Sequence, residues 1–342
     1  MNAPASIRNA DLRSTQTTGV VHYGLGPIGL AVARIAAGRS NLRSVFAIDR
    51  DPTLVGKNLG SLINATPRDW PVVEPTYRSS ANSNVAFHCT GSRLRAVLPE
   101  LLQCIEDRLN VISSCEELAY PWDDDPTTAQ HIDSVARDRG VTVLGTGINP
   151  GYAMDYLPLV LTAVAGRVDH LSVKRRQDAD TRRLPLQRKI GAGMSVANFR
   201  ARAASGQLGH VGLRQSAQAL AAALGWQLSK LDESIDPVWA DRLTPSALGD
   251  IPAGMVIGLR HQVRGFRADE EVVCLELQIV MALGESSDEI VISGEPRVEL
   301  VVPGGLHGDT ATAAIIVNAV PMVLSAPPGL AVMSDLPPPR PG

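Results

Sequence analysis

Three glycines, spaced as Gly24-Leu25-Gly26-Pro27-Ile28-Gly29, stand between two telling segments. Before them lies a short apolar run, GVVHY, from Gly19 to Tyr23. After them Ile28, Ala31, Val32, Ile35 and Ala36 recur at helical spacing. A G-x-G-x-x-G string alone is weak evidence; directly after a strand and at the opening of a helix it has a mechanism. Gly24 permits the tight turn, Gly26 lets the backbone approach a pyrophosphate, and Gly29 lets the helix pack on the strand. The helix N-terminus adds free N–H groups and partial positive charge. Pro27 and Ile28, held between the glycines, join them as cofactor contacts. Asp49 ends the second strand, ~20 residues beyond the last glycine, where an acid accepts hydrogen bonds from the adenosine ribose. That favours NAD. Arg50, next in the chain, suits the 2′-phosphate of NADP. The two signals compete, and the reading leans slightly to NAD.

The strand–helix alternation continues. SVFAID (Ser44–Asp49), NVAFHC (Asn84–Cys89), NVISS (Asn110–Ser114) and VTVLG (Val141–Gly145) read as buried strands. Between them, Arg93–Arg108 puts Leu94, Val97, Leu98, Leu101, Leu102 and Ile105 on one helical face, and Thr127–Arg139 reads as a weaker helix. Such alternation means α/β with a doubly wound parallel (Rossmann) sheet. At 342 residues the chain exceeds one core, and two domains are expected. After Pro150 the pattern changes: helices at Asp155–Ala165, Ser195–Ala204 and Leu213–Leu224, a strand at His170–Arg175, then β-rich runs at Met255–Gln262, Glu271–Leu283 and Glu289–Val302. Runs joined by short turns predict a second, α+β domain built on an antiparallel sheet. The expected division is a tail (1–18), a dinucleotide-binding domain (19–148), a substrate and dimerisation domain (149–305), a helix and segment returning to the first domain (306–336), and a Pro-rich tail (337–342).

Composition narrows the function. With a formal net charge of -3 and no dense basic stripe, nucleic-acid binding is set aside. The four cysteines form no CxxC pair and no zinc-ligand spacing, so they read as buried thiols in a reducing compartment and no metal is expected. The first residues hold no apolar core of a signal peptide. Ala311–Met333 is apolar, but Asn318, Pro321, Pro327 and Pro328 interrupt it, which predicts a buried helix and no membrane span. A cytoplasmic protein is expected.

Two segments carry chemistry. Thr90-Gly91-Ser92 follows a strand, at the end of the sheet where ligands bind, and reads both as a cofactor contact and as a helix cap. Glu116 and Glu117 follow NVISSC at the next such strand end. A carboxylate there could stabilise the iminium cation that forms when ammonia adds to a carbonyl, and relay its protons. A solvated loop acid or the start of a short helix is an equal reading. The seven histidines are scattered and read as structural. No G-x-S-x-G elbow or HExxH helix is present.

The stretches VVHYGLGPIGLAVAR, NVISSCEELAYPW, GTGINPGYAMD, RRLPLQRKIGAG and HGDTATAAIIVNAVPMVLSAPPGL together resemble the 2,4-diaminopentanoate dehydrogenase and native amine dehydrogenase family, whose N-terminal half is similar to dihydrodipicolinate reductase. The resemblance covers about Gly19 to Leu336. It implies NAD(P)-dependent deamination of an amine, reversed as amination of a ketone or aldehyde by ammonia, in a homodimer built through the second domain. It makes Glu116 the residue that holds ammonia, with Glu117 pointing elsewhere. It puts Asn149, Pro150 and Tyr152 at a hinge bordering the substrate pocket, adds Met194, Thr310 and Thr312 to that pocket, and sets Asn318 against the nicotinamide carboxamide. Members divide between simple amines and a diamino acid. The basic cluster Lys174, Arg175, Arg176, Arg182, Arg183, Arg188 and Lys189 could hold a substrate carboxylate, but Tyr152 and Met194 favour an apolar chain and hence a simple amine. A dinucleotide sensor without turnover is the remaining alternative.

Overall fold

In the computed structural model, which describes residues 17–79, 82–180 and 184–341, the first half forms a parallel sheet. Its strands are β1 (Thr18–Tyr23), β2 (Leu42–Ile48), β3 (Val73–Glu74), β4 (Val85–His88), β5 (Asn110–Ser113) and β6 (Thr142–Gly145), in the order β3-β2-β1-β4-β5-β6. The helices are α1 (Pro27–Ala37), α2 (Leu59–Leu62), α3 (Leu94–Glu106) and α4 (Pro126–Arg139). Each expected strand and long helix of this half falls within a few residues of its predicted place. The hydrophobic pattern explains why: Val97, Leu101, Cys104 and Ile105 of α3 are buried against Val21, Ala86 and Val111 of the sheet. Local chemistry marks the ends. Asp125 caps α4, Pro126 opens it, and Gly140 closes it at φ 72°. The chain runs outward from β1 to β3 and then crosses to β4 on the other side of β1. This reversal opens a crevice between the carboxyl ends of β1 and β4. The register pairs Tyr23 with His88, so the glycine turn and Thr90 face each other across it.

The second half holds α5 (Tyr156–Leu161), β7 (Arg167–Asp178), α6 (Leu184–Lys189), α7 (Val196–Ala204), α8 (Leu213–Ala223), β8 (Lys230–Trp239), β9 (Val256–Arg267), β10 (Glu270–Val280), β11 (Ser287–Glu295) and β12 (Val298–Pro303). The sheet order is β12-β11-β7-β10-β9-β8. The expected antiparallel sheet is corrected to a mixed one: β7 and β10 pair in parallel, and the other neighbours are antiparallel. The cause is topological. β7 enters first and takes a central place; the chain leaves through three helices and returns by the hairpins β8–β9–β10 on one flank and β11–β12 on the other. The run expected at Glu289–Val302 is two strands, turning at Pro296. β8 escaped prediction because it is mostly polar and only Pro237 within it is fully buried. Alternation on β10 puts Val273, Leu275 and Leu277 inward, where Leu213, Ala217 and Leu220 of α8 cover them.

The chain then returns to the first sheet through α9 (Gly308–Asn318), α10 (Val320–Ser325) and β13 (Gly329–Ala331), which pairs with β6 as a seventh parallel strand. The apolar stretch noted in the sequence is a core element: Ala313, Ile316, Val317, Val320 and Val323 pack against Val32, Ala36, Val85 and Ile112. The helix breaks at Ala319, two residues before Pro321. The predicted N-terminal tail lies almost wholly outside the described residues.

Candidate active site

The glycine turn is built as its spacing requires. Gly24 has φ +91°, and a Cβ there would lie 2.7 Å from the Cys89 carbonyl oxygen. A Cβ on Gly29 would lie 2.0 Å from the Gly24 carbonyl oxygen, so only glycine lets α1 approach its own turn. Gly26 differs: a Cβ there meets nothing within 4 Å. Its missing side chain leaves space outside the protein. α1 opens with Pro27 and no side-chain cap, leaving its first amides to a ligand. Asp49 accepts hydrogen bonds from the Leu25 N–H (2.6 Å) and the Asp51 N–H (2.8 Å), which ties the end of β2 to the turn. Together these features fit a dinucleotide pyrophosphate at the turn and its ribose near Asp49.

The neighbouring strand ends are wired together. Arg50 pairs with Glu100 (3.1 Å), and Thr90 donates to the same carboxylate (2.6 Å). His88 reaches Glu100 (3.1 Å) and Ser113 (2.8 Å). Burial pushes the Glu100 carboxyl up, but the bonds from His88 and Thr90 and the Arg50 charge outweigh it and hold it below the usual range.

A cleft of about 440 Å³ opens where these strand ends face the second sheet. The near wall holds Gly26, Pro27, Ile28, Thr90, Gly91 and Ser92; Ser114, Glu116, Thr146 and Gly147 lie deeper. The two glutamates part here. Glu117 accepts from the Leu94 N–H (2.7 Å) at the start of α3 and pairs with Arg93 (2.7 Å). It caps a helix. Glu116 faces the cleft. Burial raises its carboxyl above the ordinary 4.5, and the Glu117 charge adds to this, against bonds from its own backbone and the Ser92 hydroxyl and the Lys189 charge.

The far wall comes from the second sheet and α6: Arg175, Gln177, Leu186, Lys189, Leu277 and Ile279. His210 completes it. Its Nε2 lies 2.8 Å from the Asn149 carbonyl oxygen, to which it donates, and burial pushes its imidazole down to about 3, so it stays neutral. Sequence reasoning read every histidine as structural and passed over His210, and it also passed over Ser114, Thr146, Gln177 and Leu186. Ser92 belongs to the Thr90-Gly91-Ser92 turn already marked, and only the SSCEE string carried a signal for Ser114. The Thr146 hydroxyl is buried with no hydrogen-bond partner among the described residues, although it lines the cleft.

Of the predicted pocket residues, Asn149, Pro150 and Thr312 reach the cleft, and Thr312 accepts from the Ile148 N–H (3.2 Å). Four do not. Tyr152 packs between the two cores, its ring 6.2 Å from that of Tyr156. Met194 packs beneath the second sheet with Ile190, Phe199 and Val256. Thr310 is exposed and bonds to His307 at the α9 cap (3.2 Å). Asn318 stands at the far end of α9 and accepts from Arg39 (2.8 Å), a full helix length from the residues of α9 that line the cleft. From the basic cluster, Arg175 and Lys189 reach the cleft; Arg182 and Arg183 lie outside the described residues. Arg175 is buried, paired with Asp288 (2.5 Å) and bonded to the Leu306 carbonyl. Lys189 takes part in no ion pair among the described residues.

Comparisons with known proteins give the family. The family model of the 2,4-diaminopentanoate dehydrogenase C-terminal domain matches residues 152–341. The chain is 32% identical to a 2,4-diaminopentanoate dehydrogenase of Acetoanaerobium sticklandii, over 94% of each sequence. It is 22% identical to an amine dehydrogenase of Streptomyces virginiae, over 93% of this chain and 95% of that one. The solved amine dehydrogenase of Mycobacterium smegmatis superposes with a TM-score of 0.80 at 27% identity, over 95% of this chain and 97% of that one. A turn shaped for a dinucleotide, a cleft-facing carboxylate and relatives matched over more than nine-tenths of the chain converge on one assignment: the chain belongs to the 2,4-diaminopentanoate dehydrogenase family, oxidoreductases that act on CH–NH2 groups.

Proposed function

We propose that the protein is an NAD(P)-dependent amine dehydrogenase, which deaminates an amine oxidatively and, in reverse, aminates a ketone or aldehyde with ammonia. One observation carries the reading: Glu116 faces the same cleft as the glycine turn, in a partly desolvated setting. Gly26, Pro27, Ile28, Thr90 and Gly91 would hold the cofactor phosphates, with Asp49 at the ribose. The lean to NAD is kept, because Arg50 is drawn away to Glu100. The cofactor held by these residues would supply or take up the hydride exchanged with the substrate carbon.

The protein's own groups do the rest. As a carboxylate, Glu116 binds ammonium and accepts a proton from it, freeing ammonia to attack the carbonyl. Glu116 returns that proton to the hydroxyl of the resulting carbinolamine, which leaves as water, and the iminium cation then sits beside the re-formed carboxylate in a setting of low dielectric, where that charge counts for more than in water. Ser92 orients the carboxylate. Leu186, Leu277 and Ile279 supply the apolar surface that the sequence assigned to Tyr152 and Met194, and they keep water from the cation. We assign the protein to the cytoplasm, in keeping with four free cysteines. The homodimer would form through the second sheet, where Trp239 and Val301 are exposed on the two edge strands.

The test is NAD(P)H oxidation with small carbonyls, with and without ammonium. Turnover should require ammonium, and Glu116→Gln should lower kcat by roughly 10³-fold with the fold kept. Unchanged turnover in that variant sinks the assignment.

Lys189 favours a second reading, in which the substrate is a diamino acid. Among the described residues it is the cleft cation outside any ion pair, whereas Arg175 is committed to Asp288 and the Leu306 carbonyl. Lys189→Met should raise KM about tenfold for a substrate with a carboxylate and leave a carboxylate-free amine unchanged. Equal effects on both would dismiss it.

A further inference from the structure

A second cavity, of about 390 Å³, adjoins the cleft; the two share Lys189 and His210 in their walls, and Gly212 of the second packs against Glu116 of the first. Its mouth is formed by exposed residues at the end of α7 and in the following loop, including Ala204, Gly206 and Gln207. Its inner end is reached through Val211 and Gly212.

The wall between them is thin at one point. Gly212 has φ +101°, and a Cβ there would stand 2.4 Å from Pro150 Cδ and 2.9 Å from Glu116 Cβ. One residue without a side chain therefore separates the rear cavity from the residues holding the carboxylate. The adjacent acids divide likewise: Glu116 lines the cleft and Glu117 the rear cavity. Each carboxylate around the rear cavity has a partner. Glu117 pairs with Arg93, Asp124 with Arg214 and two glutamine side chains, and Glu233 with His261. His210, at the partition, is neutral.

We propose that the rear cavity is the port through which ammonia reaches Glu116, separate from the route of the carbonyl substrate. The idea rests on the amine dehydrogenase reading. With a dinucleotide along the near wall and an organic substrate against the far wall, the cleft is filled on the side of the glycine turn. A small nucleophile then has an independent approach to the carboxylate from behind, past a residue with no side chain and a neutral imidazole. A polar cavity whose carboxylates all have partners lets ammonia or ammonium pass without trapping it short of Glu116.

Two variants narrow the port without touching the cleft: Val211→Phe at its inner end and Ala204→Trp at its exposed mouth. Steady-state kinetics in the aminating direction would give KM for ammonium, for a small aldehyde and for NAD(P)H, with thermal unfolding as a check on the fold. The port predicts that KM for ammonium rises at least fivefold in either folded variant, while the other two constants stay within twofold. An unchanged ammonium KM in the folded variants overturns the port, and so does a parallel rise in all three constants. A wild-type protein without any ammonium-dependent turnover overturns the dehydrogenase reading first and the port with it, so the two failures are told apart.

Discussion

The two walls of the cleft are made of different materials. The near wall is backbone and small side chains at the ends of parallel strands: Gly26, Gly91, Ser92, Ser114 and Gly147. The far wall is large side chains on a mixed sheet and a short helix: Arg175, Leu186, Lys189, Leu277 and Ile279. A wall of amides and glycines recognises what every dinucleotide shares, and it tolerates little change because the missing atoms are the site. A wall of side chains recognises what differs between substrates, and each side chain can be exchanged so long as the sheet behind it stays packed. Family members that act on different amines therefore have reason to keep the first wall and vary the second.

Arg175 is the exception that limits this freedom. It stands on the far wall, yet it is 2% exposed and paired with Asp288, itself 3% exposed. The Leu306 N–H also donates to Asp288 (2.8 Å), so the pair ties β7 and β11 to the segment leading into α9. Removing one partner of a buried ion pair leaves the other charge uncompensated. Asp288→Ala should therefore destabilise the protein by about 3–5 kcal/mol, the largest effect expected here, measured by urea or thermal unfolding. A loss below ~1 kcal/mol, with kinetics changed for carboxylate substrates alone, would make Arg175 a substrate residue and restore the contrast between the walls. Charge reversal at Arg175, attractive from the sequence alone, would bury two carboxylates together and test stability rather than specificity.

On the near wall the expected damage is to binding and not to folding. Gly26→Ala places a methyl in open space, at a φ of -60° that alanine adopts freely. Unfolding free energy should stay within ~0.5 kcal/mol of wild type. Cofactor affinity, read by fluorescence titration, should fall at least about tenfold, or ~1.4 kcal/mol, because the methyl occupies the approach to the pyrophosphate. An unchanged affinity would move the phosphates away from this turn. Gly29→Ala is the control with the opposite signature, since its methyl collides with the Gly24 carbonyl and should harm the fold first.

The same contrast explains what could be read from the chain. The near wall follows from local rules: each strand and turn is encoded within a few neighbouring residues, so the glycines, Asp49, Thr90 and the pair Glu116–Glu117 stand out by position, and the family resemblance chose Glu116 from the pair. The far wall depends on which strands of the second sheet become neighbours. Leu277 and Ile279 face the cleft because β10 pairs with β7, a long-range pairing with no local signature. Tyr152 and Met194 were placed in the pocket by their nearness in sequence to hinge and turn motifs, and packing took both into the cores instead. Asn318 failed for a simpler reason: Thr312 lines the cleft, and six further residues of helix advance the chain ~9 Å away from it.

Glu116 lies where the walls meet, and its titration should show both environments at once. Its folded carboxyl is raised above the ordinary 4.5, chiefly by burial, with Lys189 from the far wall opposing and Glu117 from the near wall adding to the rise. In the proposed mechanism the ionised form holds ammonium and the iminium cation. The acid limb of kcat/KM in the aminating direction should therefore fall above the ordinary carboxylate range, with activity lost as pH drops through it. The stability effect has the opposite sign. Because the folded state binds this proton more tightly than the unfolded chain, ionised Glu116 costs stability at every pH above its raised value, and the cost disappears as pH falls below about 4.5. Glu116→Gln removes the charge and with it the cost. The inactive variant should melt at a higher temperature than wild type at pH 7–8, by a modest margin that closes as the buffer is made acidic. Lys189→Met should push the acid limb further up, since it deletes the cation that favours the carboxylate. An acid limb unmoved by Lys189→Met, or a Glu116→Gln variant that melts lower at neutral pH, would mean that Glu116 is held by the near wall alone.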